Sequence, residues 1–398
     1  MFMDTISKIQ LLGSEMQYEA AEDHPNTAPL DSHVANQYSS NLDNLKKRFP
    51  VTNAALPNGK TIRLLKTMQS SVCERDCNYC CFRSGRDTRR ASLSSDELAE
   101  GIVTLSKAGI AEGVFLSSGL AGGGVRTQDR IIATAEILRL KLNYQGYVHL
   151  KIMPGAEKDQ ILRAMQLADR VSVNLEAPNP ERLAKLAPHK VFMEELLQPL
   201  RWIEELRNSQ SPLRSWKKRW PSSCTQFVVG CAGETDLELL STTAFLRSNF
   251  KIARAYYSGF SPVSNTPFEN LPAINAWRQH RLYQAFFLMR DYKFDLEEIH
   301  FSEQGNLSLE IDPKLAWADQ NLVNQPIELN TAGFEELIKI PGVGPKTARV
   351  IIHKRRIHQL RNIAQIKQLG ISIKRARKYI LLDGQRPPYQ IKLFSRNV

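Results

Sequence analysis

No stretch of the 398-residue sequence approaches the roughly 18 consecutive apolar residues that a membrane-spanning helix needs. The opening residues, MFMDTISKIQLLGSEM, turn polar within a few positions and lack the apolar core of a secretory leader. A cytoplasmic protein without a membrane partner is expected. Cysteine is scarce, at six residues, too few to staple a chain of this length with disulfides. Acidic residues almost vanish toward the C-terminus: from Ile327 to Val398 there are 4 Asp and Glu against 15 Lys and Arg. The preceding residues are close to neutral, so the net charge of +12 belongs to a basic tail on a neutral body. That asymmetry is the footprint of a polyanion-binding appendage.

What is present divides into an extension, a large body and the tail. Residues 1–58 hold one weakly amphipathic stretch, Ile6 to Ala21, and then a segment rich in Asp, Asn, Pro and Ser to which no function is assigned. From Thr61 onward strand-like runs alternate with helical ones: Ile62–Lys66, Gly113–Ser117, Tyr147–Met153, Arg170–Glu176, Cys224–Gly230 and Ala253–Tyr257 are the strands. Ser94 and Glu97 form a capping box that opens one of the intervening helices. Parallel neighbours need crossover connections and cover on both faces, so the repeat predicts an α/β fold, a partial (β/α)6 barrel of the TIM type over residues 59–295. In two strands Val148, Leu150 and Ile152, and Val171, Val173 and Leu175, alternate with polar residues. A polar set on a buried strand must be hydrogen-bonded or face a wet lumen, which nominates Lys151, Asn174 and Glu176 as cavity-lining residues.

Three of the six cysteines, Cys73, Cys77 and Cys80, crowd into the run CERDCNYC directly after the first of these strands. Four-iron clusters are held by Cys thiolates and normally take four; three from one loop leave one iron open. A zinc site would need a fourth Cys or His within reach, and the local sequence offers only the adjoining Cys81. The Cys-x3-Cys-x2-Cys spacing, with Tyr79 at a position usually aromatic, resembles the radical S-adenosylmethionine superfamily. The resemblance implies a 4Fe-4S cluster on Cys73, Cys77 and Cys80, with S-adenosylmethionine bound to the open iron. It also implies reductive cleavage to methionine and a 5'-deoxyadenosyl radical, and a donor such as flavodoxin or ferredoxin. Ser117, Ser118 and Gly119 lie where that family often carries Gly-Gly-Glu, without the Glu. Gly230 and Glu234 are similar to a segment lining its adenine pocket. Tyr79, Ser117, Ser118, Gly119, Lys151, Asn174, Glu176, Gly230 and Glu234 are therefore the cofactor-binding candidates.

Residues 296–326 connect to the tail, whose run LNTAGFEELIKIPGVGPKTARVIIHKRR places apolar residues at helical spacing on either side of Pro341-Gly342-Val343-Gly344. This resembles the helix-hairpin-helix motif, and implies a small all-α, nucleic-acid-binding domain over residues 327–385, followed by a tail at 386–398. Backbone amides at the start of the second helix would meet a phosphate, with Gly342, Val343, Gly344, Lys346 and Arg349 as contact candidates. A poorer second copy runs through IKQLGISIKRARKYI, with Leu369-Gly370-Ile371 as its turn. The run RSWKKRW at Arg214 to Trp220 interleaves aromatic and basic residues; it reads either as a base-stacking strip or as an ordinary loop. The whole arrangement resembles radical S-adenosylmethionine proteins described as DNA modification or repair enzymes. It implies an enzyme acting on DNA; an RNA-modifying enzyme and a non-catalytic iron-sulfur DNA-binding protein are the alternatives.

Overall fold

The structure, a computed structural model, describes residues 4–14, 16, 49–55 and 61–387. Most of the extension expected at 1–58, and of the tail expected at 386–398, lies outside the described residues. The chain divides into two compact units, residues 1–234 with 242–279, and residues 235–241 with 280–398.

In the first unit helix α1 (Thr5–Ser14) precedes a seven-stranded sheet whose strands follow chain order: β1 (Val51–Ala55), β2 (Thr61–Met68), β3 (Gly113–Ser117), β4 (Tyr147–Lys151), β5 (Arg170–Ser172), β6 (Ser222–Val229) and β7 (Arg254–Gly259). From β2 onward every pairing is parallel, and the sheet curls into a half-barrel. The crossovers carry helices α2 (Ser95–Lys107), α3 (Gly124–Glu136), α4 (Lys158–Leu167), α5 (Pro180–Leu186) and α6 (Gln198–Ser209); α7 (Asp236–Phe250) and α8 (Ala276–Asp291) follow β6 and β7 in the chain and are each divided between the two units. The capping box opens α2 as read, Ser94 and Glu97 bonding reciprocally. Strand β1 went unread: only Val51 and Thr52 of VTNAA favour a strand, followed by Asn and two Ala, and it holds its place by antiparallel pairing with β2.

Alternation decides the two faces. Leu65, Val114, Leu116, Val148, Leu150 and Val171 are buried to 1% exposure or less. The opposite set stands in register rows, Lys66 beside Phe115, His149 and Arg170, and then Lys151 beside Ser172, Cys224 and Arg254. Low in the lumen these groups pack on one another. The His149 ring lies 4.5 Å from that of Phe115, and Arg170 donates to Ser222 Oγ and to the Tyr256 hydroxyl, each at 3.0 Å. Burial pushes the His149 pKa well below its ordinary value, so this layer holds a neutral imidazole. The strand expected to reach Glu176 keeps its regular ladder only to Ser172. Glu176 is then turned into the left-handed region, with φ +65°, while its amide still reaches Gln226 O at 2.9 Å and its carbonyl accepts from Val228 N at 2.8 Å.

On the helix side a buried cation ties three connections together. Arg139, in the wide π-helical turn that continues α3 over Ile137–Lys141, donates to the Leu167, Tyr144 and Gly146 carbonyls and pairs with Asp169 at 2.9 Å. Trp216 of the RSWKKRW run lies against that guanidinium, 4.3 Å from its ring centroid, and Lys217 pairs with Asp169. These two residues of the run serve packing, as an ordinary connection does. Removing one partner of a buried ion pair costs about 3–5 kcal/mol, so Arg139→Met is expected to destabilise the first unit by that order, read as a lowered denaturation midpoint with unchanged cofactor chemistry in the surviving folded fraction.

In the second unit helix α9 (Pro313–Asn321) precedes two helix-turn-helix segments, α10 (Phe334–Lys339) with α11 (Pro345–Arg355), and α12 (Ile363–Gln368) with α13 (Ile373–Ala376). Both contribute to one core, which joins Leu337, Ile338, Val343 and Ile351 of the first segment to Ile366, Ile371 and Ala376 of the second. The equivalent turn glycines, Gly342 and Gly370, sit at φ +86° and +78°, a region only glycine enters without strain. The segment expected to be wholly helical also has a two-residue parallel strand pair, β8 (Ile327–Glu328) with β9 (Ile380–Leu381).

Candidate active site and nucleic-acid interface

The cysteine loop leaves β2 and returns to α2 without a strand or helix of its own, so its backbone polar groups need other partners. At its base Ser70 bridges Ser92, Ser71 N bonds Ala91 O at 3.0 Å, and Leu93 N bonds Gln69 O at 2.9 Å. Across its body one guanidinium gathers four carbonyls: Arg90 donates to Ser71 O at 2.7 Å, Phe82 O at 3.0 Å, Arg83 O at 2.9 Å and Arg86 O at 3.2 Å. Arg86 adds a bond to Cys81 O at 2.8 Å. On the far side Glu74 N donates to Leu120 O at 2.8 Å, and the Glu74 carboxylate accepts from the Gly122 and Gly123 amides at 3.2 and 3.0 Å.

That docking requires a glycine at position 119. A Cβ on Gly119 would lie 2.4 Å from Val72 O, a separation no side chain tolerates. Any side chain at position 119 lacks room, because the cysteine loop occupies its space.

Cys73, Cys77 and Cys80 line one cavity together with Tyr79, Ser117, Ser118 and Gly119. Its opposite wall is Lys151, Asn174, Glu176 and Lys190, and with its open mouth it encloses about 660 Å³. An adjoining cavity shares Tyr79, Cys80, Lys151, Asn174 and Glu176 and adds Gln226, Ser258 and Phe260. Ten of the residues read from sequence thus face one space. Gly230 and Glu234 line neither cavity; the Glu234 carboxylate instead accepts from the Gly230 and Ala232 amides at 2.5 and 3.1 Å and braces its own turn.

Lys190, unread in the sequence, is the main addition. Its ammonium meets Glu176 Oε1 at 2.9 Å with both side chains under 10% exposed. Burial works against both charges, but Lys190 and Lys151 together with the Tyr79 hydroxyl hold the Glu176 pKa below its usual value. Lys190 is held above its own usual value despite burial, with the Glu176 carboxylate as the charge beside it that favours the ammonium. The pair therefore stays ionised. Burial pushes the Cys77 thiol up to about 12; a bond to Cys81, then burial, raises Cys80. Binding a metal would drive these protons off.

The donor set discriminates between metals. Among the described residues no three His, Cys, Asp or Glu side chains are grouped to hold one ion, as a zinc site requires. Three thiols that line one cavity fit a multi-iron cluster, in which each thiolate takes its own iron, and the residues present fit that group. Removing four carbonyl partners should loosen this loop: Arg90→Met is expected to weaken iron retention at least about tenfold in competition with a chelator, with Arg90→Lys restoring little because one ammonium does not match a planar fork. Iron analysis and the visible spectrum of anaerobically reconstituted protein read the effect.

In the second unit, Gly344 is the N-cap of α11, Pro345 opens the helix, and no side chain caps it. The first amides of a helix have no internal partner, so those of Lys346 and Thr347 stand at an uncapped, electropositive end. Lys346 and Arg349 are exposed, with Arg349 over the Phe334 ring at 5.6 Å. Val343 is different: its side chain is 1% exposed in the core, its amide bonds Ile340 O, and its carbonyl accepts from Lys314.

Residues 69–246 match the family model described as Radical SAM superfamily, whose members use a 4Fe-4S cluster and S-adenosylmethionine, and residues 326–353 match that described as Helix-hairpin-helix motif. Among solved structures the chain is similar to the FeFe-hydrogenase maturase HydG from Carboxydothermus hydrogenoformans, at 16% identity over 57% of this chain and 51% of that one, with a TM-score of 0.45. It is similar to methylornithine synthase (PylB) at 16% identity over 57% and 61%, TM-score 0.45, and to coproporphyrinogen III oxidase (HemN) from Escherichia coli at 11% identity over 57% and 52%, TM-score 0.35. The chain spans between 51% and 61% of the length of these proteins. No curated protein matches it in sequence.

Proposed function

We propose that this protein, which carries a radical SAM superfamily domain and a C-terminal helix-hairpin-helix motif, is an enzyme that cleaves S-adenosylmethionine reductively and acts on DNA. The observation that carries the proposal is the cavity on which Cys73, Cys77 and Cys80 converge with a buried, ionised Glu176–Lys190 pair. When bound, the cluster and S-adenosylmethionine supply an electron and a 5'-deoxyadenosyl radical able to take hydrogen from an unreactive C–H bond.

This chain's own residues supply the ligands and the orientation. Cys73, Cys77 and Cys80 hold the cluster. Lys190 and Lys151 offer positive charge for a carboxylate, while Glu176 and Asn174 offer acceptors for an amine or for ribose hydroxyls. Ser117, Ser118 and Gly119 floor the same space, with Tyr79 hydrogen-bonded to Glu176. On the second unit, the uncapped start of α11 with Lys346 and Arg349 binds phosphate, giving affinity without reading sequence. A base within a duplex is out of reach of a lumen, so the target nucleotide is extruded or single-stranded. Cytoplasmic residence and a flavodoxin- or ferredoxin-type donor complete the reading.

Anaerobic reconstitution with iron, sulfide, dithionite and S-adenosylmethionine is expected to yield 5'-deoxyadenosine, with Lys190→Met weakening S-adenosylmethionine binding about tenfold or more. A well-formed cluster that yields none would falsify the enzyme reading.

For the nucleic acid, Lys346→Glu with Arg349→Glu in the full chain is expected to lower duplex affinity by about tenfold or more and to reduce the salt slope by about two. Tighter binding and greater turnover with structured RNA than with DNA would reassign the substrate.

A further inference from the structure

Within the second unit the hairpin is gripped by side chains that belong to neither of its helices. Lys314 lies in the first turn of α9 yet is only 8% exposed. Its ammonium donates to Val343 O at 2.6 Å and sits 4.4 Å from the centroid of the Tyr292 ring. The Tyr292 hydroxyl lies 3.3 Å from where a Cβ on Gly344 would be, and the Arg375 Cβ and Ser372 O lie 3.4 Å from the same point on Gly342. Arg375 is in turn paired with Asp312, whose carboxylate caps α9 by accepting from Leu315 N at 3.0 Å. Both glycines of the turn and the carbonyl between them are thus clamped.

The carbonyl matters because of what shares its peptide plane. In a trans peptide the C=O of one residue and the N–H of the next point in opposite directions, and the chain has no cis peptides among the described residues. Holding the Val343 carbonyl inward therefore turns the Gly344 N–H the other way, toward the side on which the uncapped amides of Lys346 and Thr347 begin α11. Resting on the nucleic-acid reading above, we propose that Lys314 is the positioning residue of the hairpin: its grip on the Val343 carbonyl aims the Gly344 amide at a nucleic-acid phosphate that Lys314 itself never touches.

The grip is sensitive to protons. Burial brings the Lys314 pKa down to about 7, with Asp312 pushing it up and Arg375 pushing it down. Tyr292 covers its other side, and Arg281 and His280 face the same Asp312. A hydrogen bond from an ionised donor is about twice as strong as one from a neutral group, and a bound phosphate favours the charged ammonium. Binding therefore takes up a proton, and affinity falls as pH rises through the Lys314 pKa.

Two measurements on the full chain test this. Amide hydrogen exchange of the peptide covering Pro341 to Arg349, without nucleic acid, is expected to be about tenfold faster in Lys314→Met than in wild type at about pH 6. Exchange over Ile363–Gln368 serves as the control for unfolding of the unit. A labelled DNA duplex at constant ionic strength is expected to bind wild type about tenfold more weakly at about pH 8 than at about pH 6. Lys314→Met should bind weakly at both, and Lys314→Arg, charged throughout, should bind equally at both and close to the wild-type value at the lower pH. If Lys314→Met unfolds the unit, the flat profile of Lys314→Arg decides. Unchanged hairpin exchange in a folded Lys314→Met, or a pH dependence that persists in Lys314→Arg, overturns the proposal. Exchange that responds to Lys314 in a wild-type chain that binds neither DNA nor RNA upholds the positioning role and sinks the nucleic-acid reading instead.

Discussion

The cysteine loop carries a run of backbone carbonyls that no strand or helix satisfies, and the rest of the candidate site depends on where those carbonyls are tied down. Arg90 ties four of them to one planar group with donors in a rigid fork, a geometry Lys does not offer. With its base bridged at Ser70 and Ser92 and its far side docked on the glycines after β3, the loop can present three thiols to one space without any regular structure of its own. The cost is borne by sequence: Gly119 must stay bare, and Glu74 is committed to backbone amides.

A second constraint acts deeper in the lumen. Parallel strands buried on both faces would ordinarily be apolar throughout, yet β4, β5 and the residues that follow carry Lys, His, Arg, Asn and Glu inward. In the lower rows His149 packs on Phe115, and Arg170 bonds Ser222 and Tyr256. The upper rows, Lys151, Asn174 and Glu176, end at open space, and the polarity that is structural below becomes available to a ligand above. Lys190 arrives from outside the sheet to balance the one buried carboxylate there.

Much of this was legible in sequence, for identifiable reasons. The Cys spacing is local, so it survives any uncertainty about the fold. The strands announced themselves by period-two alternation, α2 by its Ser94–Glu97 box, and the hairpin by PGVG. What escaped acts through folded loops that have no period. Lys190 follows a Pro-His pair in an irregular stretch, and Arg90 lies in another, two residues before the Ser92 bridge. Strand β1 is five residues long, and only its first two, Val51 and Thr52, favour a strand. Trp216 and Lys217 look alike in sequence whether they stack on bases or pack on Arg139 and Asp169; only the fold tells these apart. Val343 counts as part of the hairpin signature in sequence, but its side chain serves the core and its carbonyl is held from a helix nearly thirty residues away.

Glu176 carries the site's acceptor on a left-handed backbone, a conformation that costs a side-chain-bearing residue roughly 1–2 kcal/mol and that Gly or Asn adopts more readily. Its carboxylate and its backbone are therefore under opposed demands. Relieving that strain with Gly would strip Lys190 of its buried partner, a loss of about 3–5 kcal/mol that outweighs the strain, so the ion pair holds Glu176 in place. Residue 176 is for that reason closed to stabilising substitution from either side, whereas the helices outside the barrel carry no such conflict.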